Sequence, residues 1–117
     1  MNNCEFVENM LNIKLPKDYC NFLNKVGYYY KDGIEVYGYN KNFKDVTKIP
    51  CVIGATLIYR KDYNLRPNYI VISSLGYDGI IVVLNSKDGK VYETSNGKTF
   101  NLVANSFKEW LKKIVTK

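Results

Sequence analysis

Ile80-Ile81-Val82-Val83-Leu84 is the longest unbroken apolar run in the chain, and its reading decides the fold. A membrane helix needs about 20 apolar residues, so this run is far too short to span a bilayer. It has strand length, it is rich in β-branched residues, and turn residues bound it on both sides. A strand that is apolar on both faces is expected at the centre of a sheet, covered above and below. Upstream, Leu75-Gly76-Tyr77-Asp78-Gly79 reads as a turn, Tyr69 to Ser73 as a strand, and Arg66-Pro67-Asn68 as the turn before it. Downstream, Asn85 to Gly89 turns the chain and Lys90 to Thr94 returns it. Asn96-Gly97 signals a further hairpin, with Thr99 to Val103 as the next strand. The result is an antiparallel meander.

Helices surround this centre. Ser106-Phe107-Lys108-Glu109 has the capping-box pattern, a Ser followed three residues later by Glu. It opens a closing helix with Phe107, Trp110, Leu111 and Ile114 on the buried face and Lys108, Lys112, Lys113 and Lys117 on the wet face. Between Pro50 and Asp62 helix and strand readings compete. Val52, Ile53, Thr56 and Leu57 favour a helix, whereas Gly54 and the β-branched residues weaken it. The helix reading is preferred. At the N-terminus, Phe6, Val7, Met10 and Leu11 share a face of a helix over 3–12, with Asn3 as its cap. Pro16 suits the first position of a second helix, in which Leu15, Tyr19, Phe22, Leu23 and Val26 recur at helical spacing. Gly27 is suited to end it in the left-handed conformation. Tyr28-Tyr29-Tyr30 and Ile34-Glu35-Val36-Tyr37 then flank Lys31-Asp32-Gly33, a strong hairpin signal. Residues 40–49 are polar and read as a loop. The expected fold is α+β: one domain over 1–117, with an antiparallel sheet of about five or six strands and helices packed on one side.

Composition narrows the chemistry. The chain has no histidine, which removes Ser-His-Asp and Cys-His catalysis and all His-ligated metal sites. Cys4, Cys20 and Cys51 are odd in number and widely spaced, which favours buried reduced thiols over a disulfide framework or a zinc site. No cofactor or metal is expected. Glu5 and Glu8 interrupt the place of a signal peptide's apolar core, so a cytoplasmic location is expected. The net charge is +6, unevenly spread: zero over 1–30, +3 over 31–66, −1 over 67–97 and +4 over 98–117. A basic domain invites a nucleic-acid reading, here through Lys41, Lys44, Lys48 and the C-terminal lysines. Only Arg60 and Arg66 are arginines, however, and Arg supplies the bidentate contacts to guanine and phosphate.

The motifs that suggest enzymes do not hold. Asn96-Gly97-Lys98-Thr99 ends like a phosphate loop, but Tyr92 stands where that loop needs a glycine, and the segment joins two strands. Gly76-Tyr77-Asp78-Gly79 offers one carboxylate, too few for a calcium or magnesium site. The tyrosines stand out: there are eleven, and Tyr28, Tyr29, Tyr30, Tyr37 and Tyr39 cluster on or near the first hairpin. Tyr offers large contact area at low entropy cost and is enriched at protein interfaces. Aromatic residues on a sheet also stack RNA bases, but no Gly-Phe-Gly-Phe-type strand is present.

The order of these segments resembles the SUKH superfamily, relatives of a fungal cell-wall-synthesis regulator and many bacterial immunity proteins. Leu15-Pro16-Lys17-Asp18-Tyr19-Cys20-Asn21-Phe22-Leu23 is similar to its Leu-Pro-x-Asp-Tyr-x-x-Phe-Leu signature. Ile34 to Gly38 resembles the strand that follows, and Tyr59 to Leu65 the end of the middle helix. Tyr69 to Leu84, with Gly76-Tyr77-Asp78-Gly79, resembles the family's sheet and its Gly-Asp-Gly turn, and Phe107 to Leu111 its closing helix. The resemblance implies a non-catalytic cytoplasmic protein that binds the C-terminal domain of a cognate toxin, often a nuclease, and blocks it. A basic inhibitor of a basic nuclease would be repelled, since opposite charges steer association. The expected docking surface is therefore the tyrosine-bearing sheet face, where the acidic residues lie in stretches poorer in lysine. Its candidates are Tyr28, Tyr30, Glu35, Tyr37 and Tyr39 around the hairpin, and Tyr77, Asp78 and Glu93 on the meander.

Overall fold

The structure, a computed structural model, describes residues 1–116. Helix α1 (Asn3–Leu11) begins where the sequence suggests, but its cap lies one residue earlier than expected. Asn2 is the cap: its side chain accepts from the Glu5 N–H, and the Glu5 carboxylate accepts from the Asn2 N–H. Asn3 instead donates to the Leu23 carbonyl at 2.9 Å and so ties α1 to α2 (Lys17–Lys25). The cysteine expectation is corrected here. Cys4 of α1 and Cys20 of α2 are joined by a disulfide, with their Cα atoms 5.0 Å apart. Each cysteine lies where its helix faces the other, and a sequence separation of 16 concealed the pairing. Cys51 is the buried free thiol that the sequence suggests.

The hairpin forms as expected. Strand β1 (Tyr29–Lys31) pairs antiparallel with β2 (Ile34–Val36). Asp32 and Gly33 both take positive φ, 53° and 81°, which the right-handed twist of a two-residue hairpin demands. The contested segment 50–62 is helical, as α3 (Val52–Tyr63). Gly54 is explained by packing: a Cβ there would stand 2.4 Å from the Thr47 carbonyl carbon and 2.4 Å from the Lys48 nitrogen. The helix needs glycine because the 40–49 loop crosses it backbone to backbone.

The meander comprises β3 (Tyr69–Ser74), β4 (Ile80–Asn85), β5 (Val91–Ser95) and β6 (Thr99–Ala104), in that spatial order. The apolar run occupies β4, and Ile81, Val82, Val83 and Leu84 are all buried. The six strands thus divide into a four-stranded sheet and a two-stranded ribbon. The ribbon docks on the free edge of β3: the Tyr37 N–H donates to the Ile72 carbonyl at 2.8 Å, and the Ser73 hydroxyl donates to the Glu35 carbonyl at 2.6 Å. A bulge between Val71 and Ser73 frees the Val71 N–H, which donates to the Thr56 hydroxyl of α3 at 3.0 Å. This edge, otherwise a site for unwanted strand pairing, is covered.

Helix α4 (Phe107–Val115) closes the fold. Ser106 caps it through the Glu109 N–H, while the Glu109 carboxylate reaches Asn105 and not Ser106. Lys117, expected on the wet face, lies outside the described residues. Phe107 stands 4.8 Å from the Tyr19 ring and 5.2 Å from that of Phe22, so the closing helix packs on α2 through aromatic contacts. The Tyr19 hydroxyl donates to the Tyr37 carbonyl at 2.7 Å, joining α2 to the end of the ribbon. Among the described residues no helix is long and apolar enough to cross a membrane.

Candidate functional site

Docking the ribbon on β3 creates a groove of about 350 Å³ between the ribbon tip, the end of β3, β5 and α4. Gly33, Ile34 and Glu35 form one wall. Ser73, Ser74, Leu75 and Tyr77 form the rim along β3 and the turn after it. Glu93 rises from β5, and Trp110 and Ile114 close the side made by α4. Register explains the meeting. Ser73 pairs with Val82 and Val82 with Glu93, so the three share one face of the sheet.

Three of the residues singled out from sequence, Glu35, Tyr77 and Glu93, line this groove together. Both carboxylates are half-buried, and Tyr77 is 59% exposed. Tyr28 supports the groove from behind: its hydroxyl donates to the Glu35 carboxylate, and burial together with that bond pushes its pKa up to about 12. Tyr30 sits directly opposite Glu35 in the ribbon register, on the same face, and is 64% exposed. Tyr37 differs from the expectation of a surface anchor. Its side chain is buried, 4% exposed, and that burial drives its pKa well above the ordinary tyrosine value. Alternation alone would put it beside Glu35 on the outer face, but the chain leaves the ribbon at Val36 and turns Tyr37 under the helices. Tyr39 is half-buried, its ring 4.6 Å from that of Phe6, and it packs the loop onto α1. Asp78 is exposed in the turn after β3 with φ 53°, and its carbonyl accepts from the Ser95 hydroxyl; it is not among the groove residues.

Trp110 and Ile114 also line the groove, although the sequence reading placed them only in the core. Their helical spacing marks a buried face, and nothing in that spacing marks where the face emerges at the sheet rim. Electrostatically the groove departs from the whole. The chain is +6, yet among the described residues the groove lining contains no lysine or arginine. The ion pairs among the described residues are Lys48–Asp45 and Lys113–Glu109, so no described lysine or arginine pairs with Glu35 or Glu93. Lys41, Lys44 and Lys48 are exposed on the 40–49 loop, away from the groove lining.

Elsewhere, Cys4, Glu8 and Cys20 bring donor atoms within 4.8 Å of one another, but both sulfurs are engaged in the disulfide and metals are held by thiolates. Burial raises the Cys51 thiol pKa, which disfavours the reactive thiolate. The Ser73 hydroxyl is committed to the Glu35 carbonyl.

Two opening helices, a ribbon docked on a four-stranded meander and a closing aromatic helix define an α+β domain of the SUKH kind. The chain belongs to the SMI1-KNR4 cell-wall family, SUKH_5, whose profile matches residues 1–116. This is known as a family of immunity proteins, generally non-enzymatic, and membership points to a protein partner. No curated protein matches the chain.

Proposed function

We propose that this chain is a bacterial immunity protein that acts in the cytoplasm, binding a cognate toxin domain and neutralising it by steric occlusion. The observation that supports the reading is the groove, in a chain whose family is one of immunity proteins: two carboxylates in no ion pair with a described residue share its lining with exposed Tyr77, and exposed Tyr30 stands opposite Glu35 in the ribbon. Tyr30 and Tyr77 would supply contact area, and Glu35 and Glu93 would supply charge complementarity to a basic toxin face. The overall charge of +6 does not oppose this at contact distance. The Debye length is about 8 Å at physiological ionic strength, so lysines further away are largely screened and the local acidic groove dominates. Occlusion asks nothing of a cofactor.

The test is co-expression of this protein with the C-terminal domain of the large secreted-type protein encoded next to it. Cell survival and a stable co-purified complex are expected. Toxicity without rescue, or the absence of any toxin-like neighbour, would overturn the reading. A steeply salt-dependent affinity for RNA or DNA would then favour the loop lysines as the binding surface.

A further inference from the structure

We infer that the groove is a receptor for a single cationic side chain, arginine or lysine, projecting from the protein partner. This rests on the reading of the protein as a toxin-binding immunity protein and specifies what its groove takes. The shape and chemistry of the groove fit such a guest. Ile34, Leu75 and Ile114 present apolar surface to an aliphatic stem, and long cationic side chains bury their stems while keeping the charged end solvated or paired. Trp110 and Tyr77 contribute aromatic rings to the same lining, and cations favour aromatic faces. Glu35 and Glu93 supply negative charge from two different strands, and among the described residues no lysine or arginine lines the groove or pairs with either.

The groove is also held ready. Glu35 is fixed at its carboxylate by the Tyr28 hydroxyl and at its carbonyl by the Ser73 hydroxyl. An ionised carboxylate accepts about four hydrogen bonds, so the Tyr28 contact leaves capacity for a guest. Ladder pairing with Val82 on one side and Asn101 on the other fixes the backbone of Glu93. The Glu35 side chain is therefore already ordered when the guest arrives, which lowers the cost of binding.

Trp110 is the one tryptophan of the chain and lines the groove, so it reports directly on occupancy. The purified protein would be titrated with N-acetyl-arginine methylamide and N-acetyl-lysine methylamide at constant ionic strength, with the neutral citrulline analogue alongside. The readouts are Trp110 emission and its indole N–H resonance. A saturable shift with at least one cationic probe is expected, with Kd on the order of millimolar as befits one side chain. No such shift is expected with citrulline, and affinity should fall at least tenfold in the double variant Glu35→Gln with Glu93→Gln. Circular dichroism would verify that the variant is folded, and Tyr77→Ala, at an exposed position, gives a second variant expected to weaken binding. No saturable shift with either cation, or an unchanged shift in a folded double variant, would overturn the inference. If the probes bind but the wild type fails to rescue cells from the toxin, the immunity reading fails and the groove chemistry stands. If wild type and double variant rescue equally and the probes do not bind, the groove chemistry fails and the immunity reading stands.

Discussion

Tyr28 donates its phenolic proton to the carboxylate of Glu35 across the first hairpin, linking the residue before β1 to the acidic wall of the groove. Burial, together with this bond, holds Tyr28 in its neutral form and raises its pKa to about 12. The unfolded value is about 10, so this contribution to stability is fully present below pH 10 and is lost as pH rises from 10 to 12. Tyr28→Phe should lower stability by about 1 kcal/mol at neutral pH, a modest figure because the pair is partly solvated. It should also make the loss of stability between pH 10 and 12 shallower than in the wild type. Urea denaturation at a series of pH values measures both.

Gly54→Ala distinguishes helix propensity from packing. In an isolated helix the change would stabilise by about 1 kcal/mol. Here the added methyl would meet the backbone of Thr47 and Lys48 at 2.4 Å, which no side-chain adjustment can relieve. A loss of about 2 kcal/mol or more is expected, read as a lower urea midpoint with an unchanged slope.

The Cys4–Cys20 bridge closes a loop of sequence separation 16. A loop of that size restricts the unfolded chain by about 3 kcal/mol. Cys4→Ser should therefore lower the unfolding free energy by about that amount in non-reducing buffer. A reducing agent should lower the wild type similarly and leave the variant unaffected. In denaturant without reductant, alkylation should label Cys51 alone, as intact mass would show.

Tyr30→Ala and Tyr77→Ala remove exposed rings beside the groove. Stability should change by no more than about 0.5 kcal/mol, since such surface positions carry little of it. Affinity for the toxin domain should fall at least tenfold, about 1.4 kcal/mol, by calorimetry. Asp78→Lys, outside the groove lining, should change affinity much less than Glu35→Lys within it. Equal effects would place the docking surface on the turn instead.

Much of the fold was legible because its signals are local. Asp32-Gly33 has one good hairpin geometry, and Ile80 to Leu84 can shed water on both faces only at the centre of a sheet. Ser106 caps α4 through its immediate neighbours. Gly54 misled in part because its reason lies in the backbone of the 40–49 loop, which no helix-propensity argument contains. Cys4 and Cys20 are an unremarkable pair along the chain and become partners only when α1 packs on α2.

The candidate site divides the same way. The sequence by itself determined the strand-and-turn order, the helix faces, the acidic character of residues 67–97 and the tyrosine-rich ribbon, since each follows from neighbours along the chain. Tertiary structure alone decided which of these residues share a surface. Seating the ribbon on the edge of β3 brought Glu35 into one groove with Glu93 and Trp110, left Tyr30 and Tyr77 in solvent, and drew Tyr37 inside. Period-two alternation assigns a side chain to a face of its own strand. Which face meets water depends on what packs against it, and that is fixed only by contacts between residues far apart in sequence.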